Sequence, residues 1–127
     1  MAVSPEFQSF IADLVAPLGP VRIRRMFGGA GLFLDDVMFA LIAGDQLYFK
    51  VDDTTRPDFE AQGKGPFTYA RAGTQRALTS YYQAPEFLFD DPDEMRTWAR
   101  RSADAALIAA KAKPKKKRSG KIDRRSR

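Results

Sequence analysis

Clustered carboxylates, a glycine-rich stretch and a run of bases are the residues of this chain whose types and spacing could do chemistry. Asp35-Asp36 and Asp52-Asp53 offer oxygen ligands to a hard cation such as Mg²⁺ or Ca²⁺, and Asp90-Asp91 with Asp93-Glu94 forms a further acidic group. None of them stands in a loop of alternating oxygen ligands. The two pairs suit tight turns, and the last group suits a helix start, where acids face the positive end of the dipole. Gly28-Gly29-Ala30-Gly31 would let backbone N–H groups approach an anion. A dinucleotide fingerprint, however, needs its third glycine at Gly-x-Gly-x-x-Gly spacing, where Leu34 stands, and a following helix, and a Walker loop needs Gly-Lys-Ser/Thr. A strand follows here, so the stretch reads as a turn or bulge, and Gly63-Lys64-Gly65 reads as a linker.

The chain contains neither cysteine nor histidine. Disulfides, thiolate nucleophiles, zinc–thiolate centres and the commonest general base are all excluded, leaving carboxylates, lysines, arginines and hydroxyls. The expectation is a non-enzymatic protein with no catalytic residue, cofactor or metal. The alternative is a small anionic-ligand-binding protein or enzyme with a pocket between sheet and helices, in which Lys50, Lys64 or an arginine cluster holds the anion. A cytosolic location is expected, since no leader pattern opens the chain and no apolar run reaches membrane-spanning length.

Charge is unevenly spread. Residues 111–127 hold ten Lys/Arg and one acid, a net +9, whereas residues 1–110 hold eleven bases and fifteen acids, a net −4. A block of like charge without apolar period reads as a solvated tail, and Lys111, Lys113, Lys115, Lys116, Lys117, Arg118, Lys121, Arg124, Arg125 and Arg127 are its candidate nucleic-acid contacts. Such binding would be non-specific. Two units are therefore expected: a globular domain over residues 1–110 and a basic tail over 111–127.

The elements of the domain follow from period and punctuation. Ser4-Pro5 opens a helix whose apolar stripe is Phe7, Phe10, Ile11, Leu14, Val15 and Leu18, closed by Gly19-Pro20. Four strands follow, over residues 21–27, 30–34, 37–42 and 46–51, with Asp35-Asp36 as a tight hairpin and Ala43-Gly44-Asp45 as a slightly longer one. Residues 56–63 read as a short helix, and residues 67–71 and 77–82 as two strands joined through 72–76. Asp91-Pro92-Asp93-Glu94 opens a last helix, with Glu94 placed to close a capping box and Met95, Trp98, Ala99, Ala105, Ala106 and Ile108 on its inner side. The fold class is α+β in two layers: helix, four-stranded antiparallel meander, short helix, two strands, helix, with the helices on one sheet face. Burial of Phe7, Phe10, Ile11, Leu14, Met95 and Trp98 is expected. The aromatics Phe27, Phe33, Phe39, Tyr48, Phe49, Phe67, Tyr69, Tyr81 and Tyr82 read as core rather than as a base-stacking platform, although Arg22, Arg24, Arg25, Arg71 and Arg76 could gather on neighbouring strands.

With that element order, residues 25–33, 39–42 and 47–52, then Pro66-Phe67-Thr68-Tyr69, residues 80–86 and Trp98-Ala99 make the chain resemble the N-terminal domain of the TfoX/Sxy family of competence regulators. The resemblance covers about residues 5–108 and carries no catalytic or cofactor residue with it. It implies a regulatory module for transcription or competence that acts through a protein partner, here without the helical second domain of the family's two-domain members.

Overall fold

The structure, a computed structural model, describes residues 4–26 and 28–112. Helix α1 spans Pro5–Val15. Ser4 caps it, its hydroxyl accepting from the Phe7 N–H at 3.1 Å, and Pro5 occupies a position that needs no donor. The stripe sends Ile11, Val15 and Leu18 into the core. The α-helix stops at Val15 because Pro17 has no N–H for the ladder, and the chain tightens into a 3-10 turn, Ala16–Leu18, before Gly19 redirects it. Phe10 departs from the expected burial. It lies on the flank of the stripe, is 42% exposed, and its ring is tilted against those of Phe7 and Phe89, with centroids 6.5 and 6.0 Å away.

Strands β1 (Arg22–Met26), β2 (Gly29–Leu34), β3 (Val37–Ala43) and β4 (Gln46–Lys50) form the meander. Helix α2 (Arg56–Ala61), strands β5 (Pro66–Arg71) and β6 (Thr74–Gln83), a 3-10 turn (Glu86–Asp90) and helix α3 (Pro92–Ala112) complete the chain. One antiparallel sheet results, in the order β1-β2-β3-β4-β6-β5. Three hairpin turns use two residues each in the left-handed region: Asp35-Asp36, Gly44-Asp45 and Ala72-Gly73. The second and third are tighter than their sequences suggest, and β6 is correspondingly longer, starting at Thr74. Asp52 is a turn residue as expected, its carboxylate accepting from the N–H groups of Thr54 and Thr55 at 2.9 and 3.0 Å. These bonds, with the Thr54 hydroxyl foremost, hold its pKa below the usual carboxylate value.

The core lies between the sheet and the helices. Leu32, Ile42, Leu47, Phe49 and Tyr82 meet Ile11, Val15, Phe59, Met95 and Trp98 there. Where Leu32 faces Ala40 and Phe33 faces Met38, Phe39 is the extra residue of a bulge and is fully buried. Phe59 anchors the single-turn α2, its ring edge-on to Phe49, Tyr82 and Trp98 with centroids 6.4, 6.3 and 4.9 Å away. At the start of α3 the Asp91 carboxylate accepts from the Glu94 N–H at 3.1 Å. Glu94 does not close the capping box; its carboxylate instead accepts from the Trp98 indole N–H at 3.2 Å, satisfying the one polar atom of that ring. The helix continues to Ala112, so Lys111 sits in its last turn, and Ile108, expected on the inner side, is 64% exposed. No helix among the described residues is long and apolar enough to cross a membrane.

Candidate functional site on the open face of the sheet

Alternation along the strands sends one set of side chains to the helices and the other to an uncovered face. Ala30, Leu32 and Leu34 of β2 point inward, so Gly29, Gly31 and Phe33 point outward. Their register partners on β1 are Met26, Arg24 and Arg22. Leu41 and Met38 of β3, Tyr48 and Lys50 of β4, and Tyr81 and Gln83 of β6 share that outer face. On the β5–β6 hairpin, Phe67, Tyr69 and Arg71 stand opposite Leu78, Arg76 and Thr74, and the Tyr48 and Phe67 rings, 5.0 Å apart, join the hairpin to β4.

The hairpin leans over the outer face and encloses a cleft of about 520 Å³. Its walls are apolar: Met26, Met38, Leu41, Phe67 and Leu78, with Tyr69 and Arg71 at the lip. Gly29 lines it, and Gly31 stands two residues along on the same side of β2. A Cβ on Gly29 would collide with the Ile42 carbonyl oxygen of β3, whereas a Cβ on Gly31 would meet the movable ends of Met38 and Met26 at 2.7 and 3.2 Å. Arg24 lies over the Phe33 ring at 5.4 Å and Lys50 over Tyr81 at 5.4 Å. Burial pushes the Tyr81 pKa up to about 12, and its hydroxyl donates to the Met38 carbonyl at 3.1 Å. Burial also raises that of Tyr48.

Charge is divided between the two layers. The six strands carry Arg22, Arg24, Arg25, Lys50, Arg71 and Arg76 and no acid, whereas the helices and 3-10 turns carry nine acids against five bases. Several of those helical-layer bases are already engaged: Arg56 with Asp53 at 2.8 Å, Arg96 with Asp93 at 3.1 Å, and Arg101 with Asp58 at 2.5 Å. The net −4 of residues 1–110 hides this division: within that range the strands are net +6, while the helical elements and the connecting turns are each net −5.

Of the residues that sequence reasoning marked for an anion, Lys64 is paired with Glu86 at 2.6 Å, which together with a backbone bond lowers the Glu86 pKa. Lys50 borders a shallow hollow between α3 and β3, lined by Val37, Met38 and Ala106. The arginines divide, with Arg22 and Arg24 outward on β1 and Arg71 and Arg76 outward on the hairpin, while Arg25 alternates to the other side. Lys111 is exposed at the end of α3, and the other nine candidate nucleic-acid contacts lie outside the described residues. Among the described residues no three acids gather as a metal site. The aromatics split in a way the sequence reading did not separate. Phe39, Phe49 and Tyr82 are core, but Phe33, Tyr48, Phe67, Tyr69 and Tyr81 belong to the outer face, beside the arginines. Phe27 lies outside the described residues.

A sequence profile of the TfoX N-terminal domain matches residues 13–106, most of the described fold. The chain belongs to the TfoX N-terminal domain family. Protein Sxy of Escherichia coli K12 is 27% identical over 95 residues, which cover 75% of this chain and 45% of Sxy. DNA transformation protein TfoX1 of Aliivibrio fischeri is 27% identical over 104 residues, 82% of this chain and 49% of that protein. The chain thus spans about half the length of the curated relatives it matches. The matched segment of the TfoX family begins within α1 and ends within α3, so it takes in the whole sheet, cleft included.

Proposed function

We propose that the chain is a non-enzymatic regulatory module that holds a protein partner on its helical layer, in transcription or competence control of the kind the TfoX/Sxy family is tied to, with residues 111–127 adding non-specific nucleic-acid affinity. One observation carries the reading. Phe10 and Phe87 stand 42% and 40% exposed on the acidic layer, with Glu6, Asp13, Glu86 and Asp90 on the same two short elements. Large apolar side chains on elements whose only charged residues are acids suit a partner surface that is itself apolar at the centre and basic at the rim. Neither ring is needed to fill the core, since Phe59, Met95 and Trp98 already do so.

Affinity purification of the full chain from its native cells, with and without nuclease, tests this. A partner that survives nuclease and is lost from Phe10→Ala/Phe87→Ala, but is kept by Tyr69→Ala on the other layer, supports it. Release of every captured protein by nuclease, or retention by the double variant, overturns it.

A further inference from the structure

We propose that the outer face of the sheet binds single-stranded nucleic acid, with bases stacking on the hairpin aromatics and phosphates held by the arginines of β1, β5 and β6. This does not depend on the helical layer or on the segment beyond Ala112. Phe67 and Tyr69 lie nearly parallel along β5, their rings 5.8 Å apart and 19° from coplanar, and Tyr69 is 38% exposed. A flat base presents the shape such rings accept, and stacking on a sheet is how single strands are gripped without reading their sequence. The cleft beside them, at about 520 Å³, is of small-ligand size and admits unpaired bases but not a duplex.

The electrostatics agree. Arg24 faces outward from β1, and Arg71 and Arg76 outward from the hairpin, so cations flank the cleft on both sides. From residue 61 to residue 85, and again from 14 to 34, the chain has no Asp or Glu. A phosphate backbone crossing from hairpin to β1 would therefore meet no carboxylate on the strands between the flanking arginines, although residues 1–110 are net negative and Arg22 is paired with Asp36 at 2.6 Å. The hairpin's other face, with Thr68, Ala70, Gln75 and Ala77, is small and neutral, so the aromatic and cationic side chains are concentrated where the cleft is.

The test uses the full chain and two labelled probes, a twelve-nucleotide oligothymidylate and a duplex of equal length, followed by fluorescence anisotropy across a salt series. Tyr69→Ala removes an exposed ring and should weaken single-strand binding about tenfold, while Tyr69→Phe keeps the stacking surface and should keep the affinity. Arg71→Gln/Arg76→Gln should flatten the single-strand salt dependence by about 1.4 in log–log slope. Duplex affinity, assigned under the proposed function to the bases of residues 111–127, should be unchanged in all three. Absence of single-strand binding, equal losses on both probes, or unaltered single-strand affinity in both Tyr69→Ala and the arginine variant overturns the assignment, and the last outcome returns the face to a protein ligand.

Discussion

Gly29 and Gly31 point to the same side of β2, two residues apart, yet replacing each with alanine should have opposite consequences. At Gly29 the new methyl would be driven into the Ile42 carbonyl oxygen, which belongs to the paired strand and cannot swing aside. Overpacking against backbone costs about 1–3 kcal/mol and more when the neighbour is rigid, and the roughly 0.5–1 kcal/mol gained by removing a glycine's conformational freedom offsets only part of it. A net loss of about 2 kcal/mol follows. With a urea slope of about 2 kcal/mol per molar for a domain of this size, the unfolding midpoint should fall by about 1 M. At Gly31 the same methyl meets Met38 Sδ at 2.7 Å, Phe33 Cε1 at 3.0 Å and Met26 Cε at 3.2 Å. Both thioethers can turn toward the cleft, so the clash and the entropic gain should nearly cancel and the midpoint should stay within about 0.3 M of the parent. Equal midpoints for the two variants, or a Gly29→Ala protein as stable as the parent, would show that the β2–β3 approach is not as close as described.

Other outcomes follow from single residues. Phe59→Ala should cost about 3–5 kcal/mol in urea unfolding because it empties the centre of a four-ring cluster, whereas Phe10→Ala, with its ring 42% exposed, should cost less than half as much. Ala72 holds φ at 52°, so Ala72→Gly should raise stability by about 0.5–1 kcal/mol, measured the same way. Tyr81 ionises about two pH units later in the folded chain than in the unfolded one, where its pKa is near 10. Its contribution is therefore complete below pH 10 and lost as pH rises toward 12; Tyr81→Phe should make the alkaline decline in stability shallower, and absorbance at about 295 nm should follow the late phenolate. Replacing Lys115, Lys116 and Lys117 with Gln should reduce the duplex salt slope by about 2.7, and an unchanged slope would remove those residues from the contact.

Local rules made most of the fold readable. Ser4-Pro5 and Asp91-Pro92 mark helix starts that the structure keeps, and short strands between Gly and Asp turns specify an antiparallel meander. Errors arise where side-chain packing rather than spacing along the chain decides. Glu94 had the right spacing for a capping box, but the Trp98 indole competes for it. Phe10 fits the helical period, yet it lies on the flank of the stripe and stays 42% exposed. The cleft was legible only in part. Alternation in Phe67, Tyr69 and Arg71 foretells a shared face, and the acid-free stretches foretell its sign, but that β6 inserts beside β4 and turns the hairpin over Met26 and Met38 depends on pairing that period cannot supply.

The separation of the two layers into different binding surfaces can be read most directly by hydrogen–deuterium exchange of the full chain with and without a saturating single-stranded oligonucleotide. Slowed exchange across β5, β6 and β1, with α1, the Glu86–Asp90 turn and the first half of α3 unchanged, is the expected pattern. Protection confined to the end of α3 and the residues after it, or spread equally over helices and sheet, would contradict it.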